Sequence, residues 1–347
     1  MRYLVTGGAG YVGGVVAARL LAEGHTVTVL DDLSTGFREG VPEGAAFIEG
    51  RVQDAARHLD PSYDAVLHFA AYSQVGESVA DPEKYWTNNV GGTLDLLAAM
   101  RGAGVRRLVF SSTAATYGEP VSERITETDP TAPTSPYGAT KLAVDHMIAG
   151  EAAAHGLAAV SLRYFNVAGA YGSCGERHDP ESHLIPLVLQ VALGTRESIS
   201  VYGDDYPTPD GTCVRDYIHV ADLADAHLLA LRALEGGEVP AGEHLICNLG
   251  NGNGFSVREV VETVRAVTGH PVPEAVAARR PGDPAVLVAS ADRARARLGW
   301  KPTRPELAGI VADAWEFARA RAAGAATRDV AGADGGAADR AAGGADA

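Results

Sequence analysis

Tyr137 and Lys141 stand four residues apart in SPYGATK, directly after a proline. Proline suits the first turn of a helix, and from there positions i and i+4 share one face. An ammonium about 4 Å from a phenolate, at an effective dielectric near 20, gains ~4 kcal/mol. Such a neighbour draws a phenol pKa of about 10 toward neutrality. The pair would then be a general base workable at neutral pH. Taken alone, Tyr-x-x-x-Lys is common on helix surfaces, so its meaning depends on what surrounds it. A further set of hydroxyls ends the apolar run in FSSTAATYG, at Ser111, Ser112 and Thr113. These side chains either serve a site at a strand end or merely cap it.

The third chemical feature is VTGGAGYVG, residues 5–13. It satisfies GxGxxG through Gly8, Gly10 and Gly13, and GxxGxxG through Gly7, Gly10 and Gly13. Glycines there let the backbone turn tightly and approach a pyrophosphate, whose charge a helix N-terminus stabilises. A tight turn without a ligand would look the same, so position decides: an apolar run before, a helical pattern after, an acid downstream. That acid is Asp31. A carboxylate there accepts hydrogen bonds from ribose hydroxyls and repels a 2′-phosphate, favouring NAD over NADP.

These residues need a scaffold, and the chain's rhythm supplies one. RYLVT (2–6), HTVTVL (25–30), YDAVLHFA (63–70), VRRLVFSS (105–112) and AAVSLRYF (158–165) are nearly unbroken apolar runs. Such runs read as buried parallel strands. Between them lie stretches apolar at helical spacing and closed by glycine, such as 11–24 and 87–104. Repeated βα units mean a Rossmann-type, doubly wound parallel sheet of the α/β class, with ligands at the carboxyl ends of the strands. Past Asn166 the rhythm loosens into Gly, Pro and Asp. The pattern predicts a dinucleotide-binding domain over 1–169 with a returning segment at about 215–250. A smaller, interleaved α/β substrate domain takes 170–214 and 251–322. Residues 323–347, rich in Ala, Gly and Asp, read as a disordered tail.

Composition narrows the partners. The 347 residues carry 29 Lys+Arg against 44 Asp+Glu, a net charge of −15. That balance argues against nucleic acid and acidic membrane surfaces. No apolar run approaches ~18 residues, and the chain opens without a basic leader and apolar core, so a cytoplasmic protein is expected. Cys174, Cys213 and Cys247 form no CxxC and read as reduced thiols. Eleven histidines are scattered. None falls in HExxH or comparable spacing, so no metal is expected.

The set TGGAGYVG, HFAA…VGES, NNV, FSSTA.TYG, SPYGATK, RYFNVAG, DGTCVRDYIHV and RRPGD resembles the UDP-glucose 4-epimerase family of the extended short-chain dehydrogenase/reductases. It covers about residues 1–321. The resemblance implies reversible NAD-dependent 4-epimerisation of UDP-glucose and UDP-galactose through a 4-keto intermediate, with weaker activity on the N-acetyl sugars. It implies Tyr137 as base, Lys141 as the residue that positions and tunes it, and Thr113 as a partner for the sugar's proton. It places NAD against Gly7, Gly10, Tyr11, Val12, Gly13, Asp31, Val52, Phe69, Ala70, Asn88 and Tyr164 as well as Tyr137 and Lys141. It places the UDP-hexose against Thr113, Asn166, Arg215, Tyr217, Arg280 and Asp283. Arg215 could instead form a surface ion pair with Asp216. The family also implies a homodimer through helices such as 87–101 and 141–155.

Two positions depart from the family's pattern: Arg51 stands where an adenine-contacting acid is common, and Ser73 where many relatives carry lysine. A position just past RRPGD borders the hexose C2 side and falls on Leu287, or on Val286 if the alignment slips by one. The nearest enzymatic alternative, a nucleotide-sugar 4,6-dehydratase, needs an Asp-Glu pair after the active-site threonine. Here Ala114 and Ala115 follow Thr113. A non-catalytic NAD-binding sensor typically loses the tyrosine or lysine, and both are present.

Overall fold

A computed structural model describes residues 1–280 and 283–341, with side chains through 324. The five apolar runs become strands β1 (Arg2–Thr6), β2 (Thr26–Asp31), β4 (Ala65–His68), β5 (Arg107–Thr113) and β6 (Ala158–Tyr164), and Ala46–Glu49 adds β3. A seventh strand, His244–Leu249, comes from far along the chain and pairs beside β6. From one edge the order is that strand, β6, β5, β4, β1, β2, β3, with every neighbour parallel. Helices cover both faces, which is why these strands are apolar on both sides rather than alternating. On one face Val15, Val16 and Leu20 of helix Tyr11–Ala22 pack with Leu223, Leu228 and Leu231 of helix Val220–Gly236. On the other, Leu96, Leu97 and Met100 meet Val144 and Ile148. Several of these helices stop at a left-handed glycine, among them Gly104, Gly156 and Gly237. The strand order reverses between β1 and β4, which opens a crevice at their carboxyl ends.

A smaller layer stands over that crevice. Its four-stranded sheet joins Asn166–Ala168, Val214–His219, Gly254–Ser256 and Val286–Leu287. Its core gathers Ile185, Val188 and Leu189 with Val260, Val261 and Ile310. Asn166–Ala168 follows β6 after a single residue, so the chain passes from the main sheet into the smaller one at the crevice itself. The last helix runs over Leu307–Ala341. Residues 342–347 lie outside the described residues.

Two buried histidines tie the main sheet to acid stability. His68 lies between the hydroxyls of Thr6 (2.6 Å) and Thr93 (2.9 Å). Burial, helped by the charge of Lys141, pushes it down to about 3. Burial pushes His227 to about 4, against a bond to the Leu223 carbonyl. Both folded values lie below the unfolded one, so the unfolded chain binds more protons between about pH 4 and 6.5. Stability therefore falls with pH across that window, each histidine contributing up to about 1.4 kcal/mol per pH unit. Urea titrations at several pH values should show a shallower acid loss for His227→Gln than for the parent. Equal slopes would remove His227 from the account.

Candidate active site

The glycine loop is shaped by contact rather than by habit. Gly7 has φ +72°, and a Cβ there would meet the Ala70 nitrogen at 2.5 Å. A Cβ on Gly13 would meet the Gly7 carbonyl oxygen at 2.3 Å. Helix Tyr11–Ala22 starts from Gly10 with no side-chain cap, leaving its first N–H groups for another acceptor. Tyr11 donates its hydroxyl to the Gly169 carbonyl at 2.7 Å and so joins the loop to the smaller layer. At the end of β2, Asp31 accepts from the backbone of Ala9 and Leu33, both at 2.9 Å. Burial raises its pKa while those two N–H groups hold it down. The bare helix start, the cradle a Cβ would fill and the anchored carboxylate fit a dinucleotide: diphosphate on the loop, ribose on Asp31.

Tyr137 owes its place to its helix start. The Ser135 hydroxyl accepts from the Gly138 N–H at 3.2 Å, and Pro136 occupies the first turn of helix Pro136–His155. A Cβ on Gly138 would sit 2.4 Å from the Ala115 carbonyl oxygen, so this glycine lets the helix press against the loop after β5. That approach brings the Tyr137 phenol beside the Thr113 side chain, close enough for the threonine to lower the phenol's pKa. Lys141 lies one turn on, but its ammonium donates to the Ser111 carbonyl at 2.7 Å, over the Phe110 ring. Burial pushes the lysine down to about 7, opposed by Asp145. The expected lowering of the phenol by Lys141 is therefore not found. Burial raises Tyr137, and Thr113 is what opposes it.

Every residue the resemblance placed against NAD or the UDP-hexose lines a single cavity of about 1090 Å³. Asn88 reaches it from a π-helical turn over Trp86–Gly91, which interrupts the single helix expected there. Its neighbour Asn89 was missed: it bonds both backbone polar groups of Tyr72 and the Thr140 hydroxyl, fixing the loop after β4 to the tyrosine's helix. NNV marked the place but not which asparagine turns inward. Tyr164 bonds the His227 ring at 3.1 Å, and Phe69 packs on the same ring.

At the smaller layer, Arg215 donates to the carbonyls of Val214 and Pro284 and to the Asp283 carboxylate at 3.0 Å. Its partner is not Asp216. That carboxylate is fully buried and accepts from the backbone of Asn251, Gly252 and Ala289. Arg280 stacks on Tyr202 at 3.9 Å. Arg177 and Arg196 add two further guanidiniums to the lining, which no spacing in the sequence announced. Tyr217 and Asn166 sit on paired strands beside them. Ser73 lines the cavity and brings no charge; Arg51 does not line it. Chemically, the arrangement offers a paired hydroxyl relay and a dinucleotide cradle in one enclosure with several arginines suited to diphosphate.

Residues 3–250 match the NAD dependent epimerase/dehydratase family. The UDP-glucose 4-epimerase of Streptomyces lividans is 71% identical over 321 residues, covering 91% of this chain and 95% of that protein. The structure of UDP-glucose 4-epimerase from Brucella ovis in complex with NAD superposes with a TM-score of 0.87 at 46% identity, covering 91% and 98% of the two chains. The Bifidobacterium longum UDP-glucose 4-epimerase, solved with NAD+ and UDP, gives 0.84 at 37% identity, covering 91% and 98%. With the family's model matched over residues 3–250 and these relatives aligned over 91% of its length, this chain belongs to the NAD dependent epimerase/dehydratase family.

Proposed function

We propose that the chain catalyses the reversible NAD-dependent interconversion of UDP-glucose and UDP-galactose. The observation that carries this reading is the Tyr137–Thr113 hydroxyl pair sharing one cavity with the glycine cradle and with Arg196, Arg215 and Arg280. When bound, NAD supplies the hydride acceptor and donor for C4, together with a positive ring that favours a phenolate. Tyr137 takes the proton of the sugar's 4-hydroxyl, directly or through Thr113. Lys141, held on the Ser111 carbonyl, keeps positive charge beneath that exchange. The arginines hold the diphosphate, while neutral Asn166 and Leu287 border the cavity and leave the 4-keto hexose free to turn over. Ala114 and Ala115 offer no acid for dehydration. Incubation with UDP-galactose should yield UDP-glucose with no net consumption of NAD. A 4-keto-6-deoxy product, or no conversion, would overturn the assignment.

Sugar scope rests on Leu287, which lines the cavity and packs with Ala114 and Tyr117. Val286, its neighbour, does not line it. Leucine leaves more room than tyrosine, so N-acetyl sugars should turn over more slowly than the plain hexoses but measurably. Leu287→Tyr should cut N-acetyl turnover by roughly 10–200-fold relative to UDP-galactose, the scale of methylene discrimination in apolar pockets. Competition of both sugars in one assay measures the ratio. The same reading includes a cytoplasmic homodimer. Trp86 and Leu94 are exposed near the helices expected at its interface, and light scattering tests the mass. No helix among the described residues is long and apolar enough to cross a membrane.

A further inference from the structure

The strap between strand Cys174–Gly175 and helix Leu184–Ala192 carries Glu176, His178, Glu181 and His183. We propose that these four side chains bind one divalent cation of the zinc class, in the wall of the large cavity. Each offers a ligand atom, and those atoms all lie within 4.8 Å of one another. His183 Nδ1 is 3.0 Å from Glu176 and 2.9 Å from Glu181. His178 Nδ1 is 3.6 Å from Glu176 and 3.7 Å from Glu181. Ligands about 2.0–2.1 Å from a tetrahedral zinc stand about 3.3 Å apart, so these separations bracket the edges of such a site.

The hydrogen bonds alone do not account for the arrangement. His178 Nδ1 is buried without a hydrogen-bond partner. Both carboxylates are also buried, at 8% and 7% exposure, and converge on the same point. Two like charges so placed need positive charge beside them, which a protonated imidazole or a bound cation supplies. Glu181 is oriented for the task by the backbone N–H groups of Ser182 and His183, the kind of outer support that metal ligands require. Two imidazoles with two carboxylates favour zinc or cobalt over calcium and magnesium, which prefer all-oxygen sets. The spacing Glu-x-His-x-x-Glu-x-His is the signal in the sequence, and it matches none of the familiar metal motifs.

The location gives the ion a use. The strap separates the large cavity from a second one of about 290 Å³ that Phe317 and Arg321 also line. Between the two histidine–glutamate pairs' first members, Arg177 lies over the Phe37 ring at 3.4 Å and 3.6 Å from Glu39, in the loop after β2. An ion here therefore fixes the wall between the cofactor-side loop and the substrate layer. It should raise the thermal midpoint rather than take part in hydride or proton transfer.

The test uses the full chain with NAD bound, stripped by chelator and titrated with zinc chloride by calorimetry, alongside His178→Gln/Glu181→Gln. The parent should bind one equivalent and melt at a higher temperature with it. The double variant should bind at least about 100-fold more weakly and show no thermal gain. Cobalt(II) should give the visible bands of a four-coordinate ion in the parent alone. Should the double variant not fold, His178→Gln carries the same comparison with a loss of about 10-fold or more. Absence of stoichiometric zinc in the parent, or equal binding by the variants, would make the cluster an ion-pair network only and overturn the proposal.

Discussion

Tyr137→Phe should lower kcat for UDP-galactose by about 10²–10⁴-fold while NAD and UDP still bind. The substitution removes one oxygen, the one that faces the Thr113 side chain. The ring stays against Tyr85, with centroids 6.5 Å apart, so its packing survives. General base catalysis contributes ~10²–10⁴-fold in typical enzymes, or about 3–5 kcal/mol of barrier. Since the loss belongs to the transition state, KM should move far less than kcat. Steady-state rates, with UDP affinity from calorimetry, separate the two. A variant that keeps more than a tenth of the parent rate would take the base away from Tyr137.

Much of this site was written locally. Ser135, Pro136 and Gly138 specify a helix start within four residues, and that start aims Tyr137. Gly7 and Gly13 specify a loop whose close contacts include one within the loop itself, Gly13 on Gly7. The apolar runs of β1, β5 and β6 announced burial on two faces, and a parallel sheet follows. Where the outcome depended on partners distant in sequence, the pattern was silent. Spacing put Lys141 on the tyrosine's face of the helix, but burial and the Ser111 carbonyl decided where its ammonium went. Arg215 adjoins Asp216 in sequence, yet bonds Asp283 because alternate residues of a strand point to opposite sides. The π-helical turn at Trp86–Gly91 and the inward turn of Asn89 come from packing against Thr140 and Tyr72, which no periodicity encodes.

Loss of Asp145 should be the costliest change to stability, and it should reach the chemistry too. Its Oδ2 accepts from Arg163 Nη2 at 2.8 Å and Nε at 3.1 Å, and from the Ser112 hydroxyl at 3.3 Å. The pair is buried, at 4% and 3% exposure. Arg163 also donates to the Tyr117 hydroxyl, which in turn donates to Asn248 on the edge strand. Asp145→Ala strands a buried guanidinium and should cost about 3–5 kcal/mol of unfolding free energy, read from urea midpoints.

Replacing both partners, as Asp145→Leu with Arg163→Met, removes the stranded charge and should restore most of that loss. The same carboxylate lies one helical turn beyond Lys141 and favours its charge against burial. With Asp145 neutral, the lysine's pKa, already pushed to about 7, should fall further. The alkaline limb of the rate profile should then move to lower pH in Asp145→Asn and in the double variant alike. Stability recovered in the double variant without recovery of the pH limb would separate the two roles. An unmoved limb in Asp145→Asn would confine Asp145 to holding the sheet together.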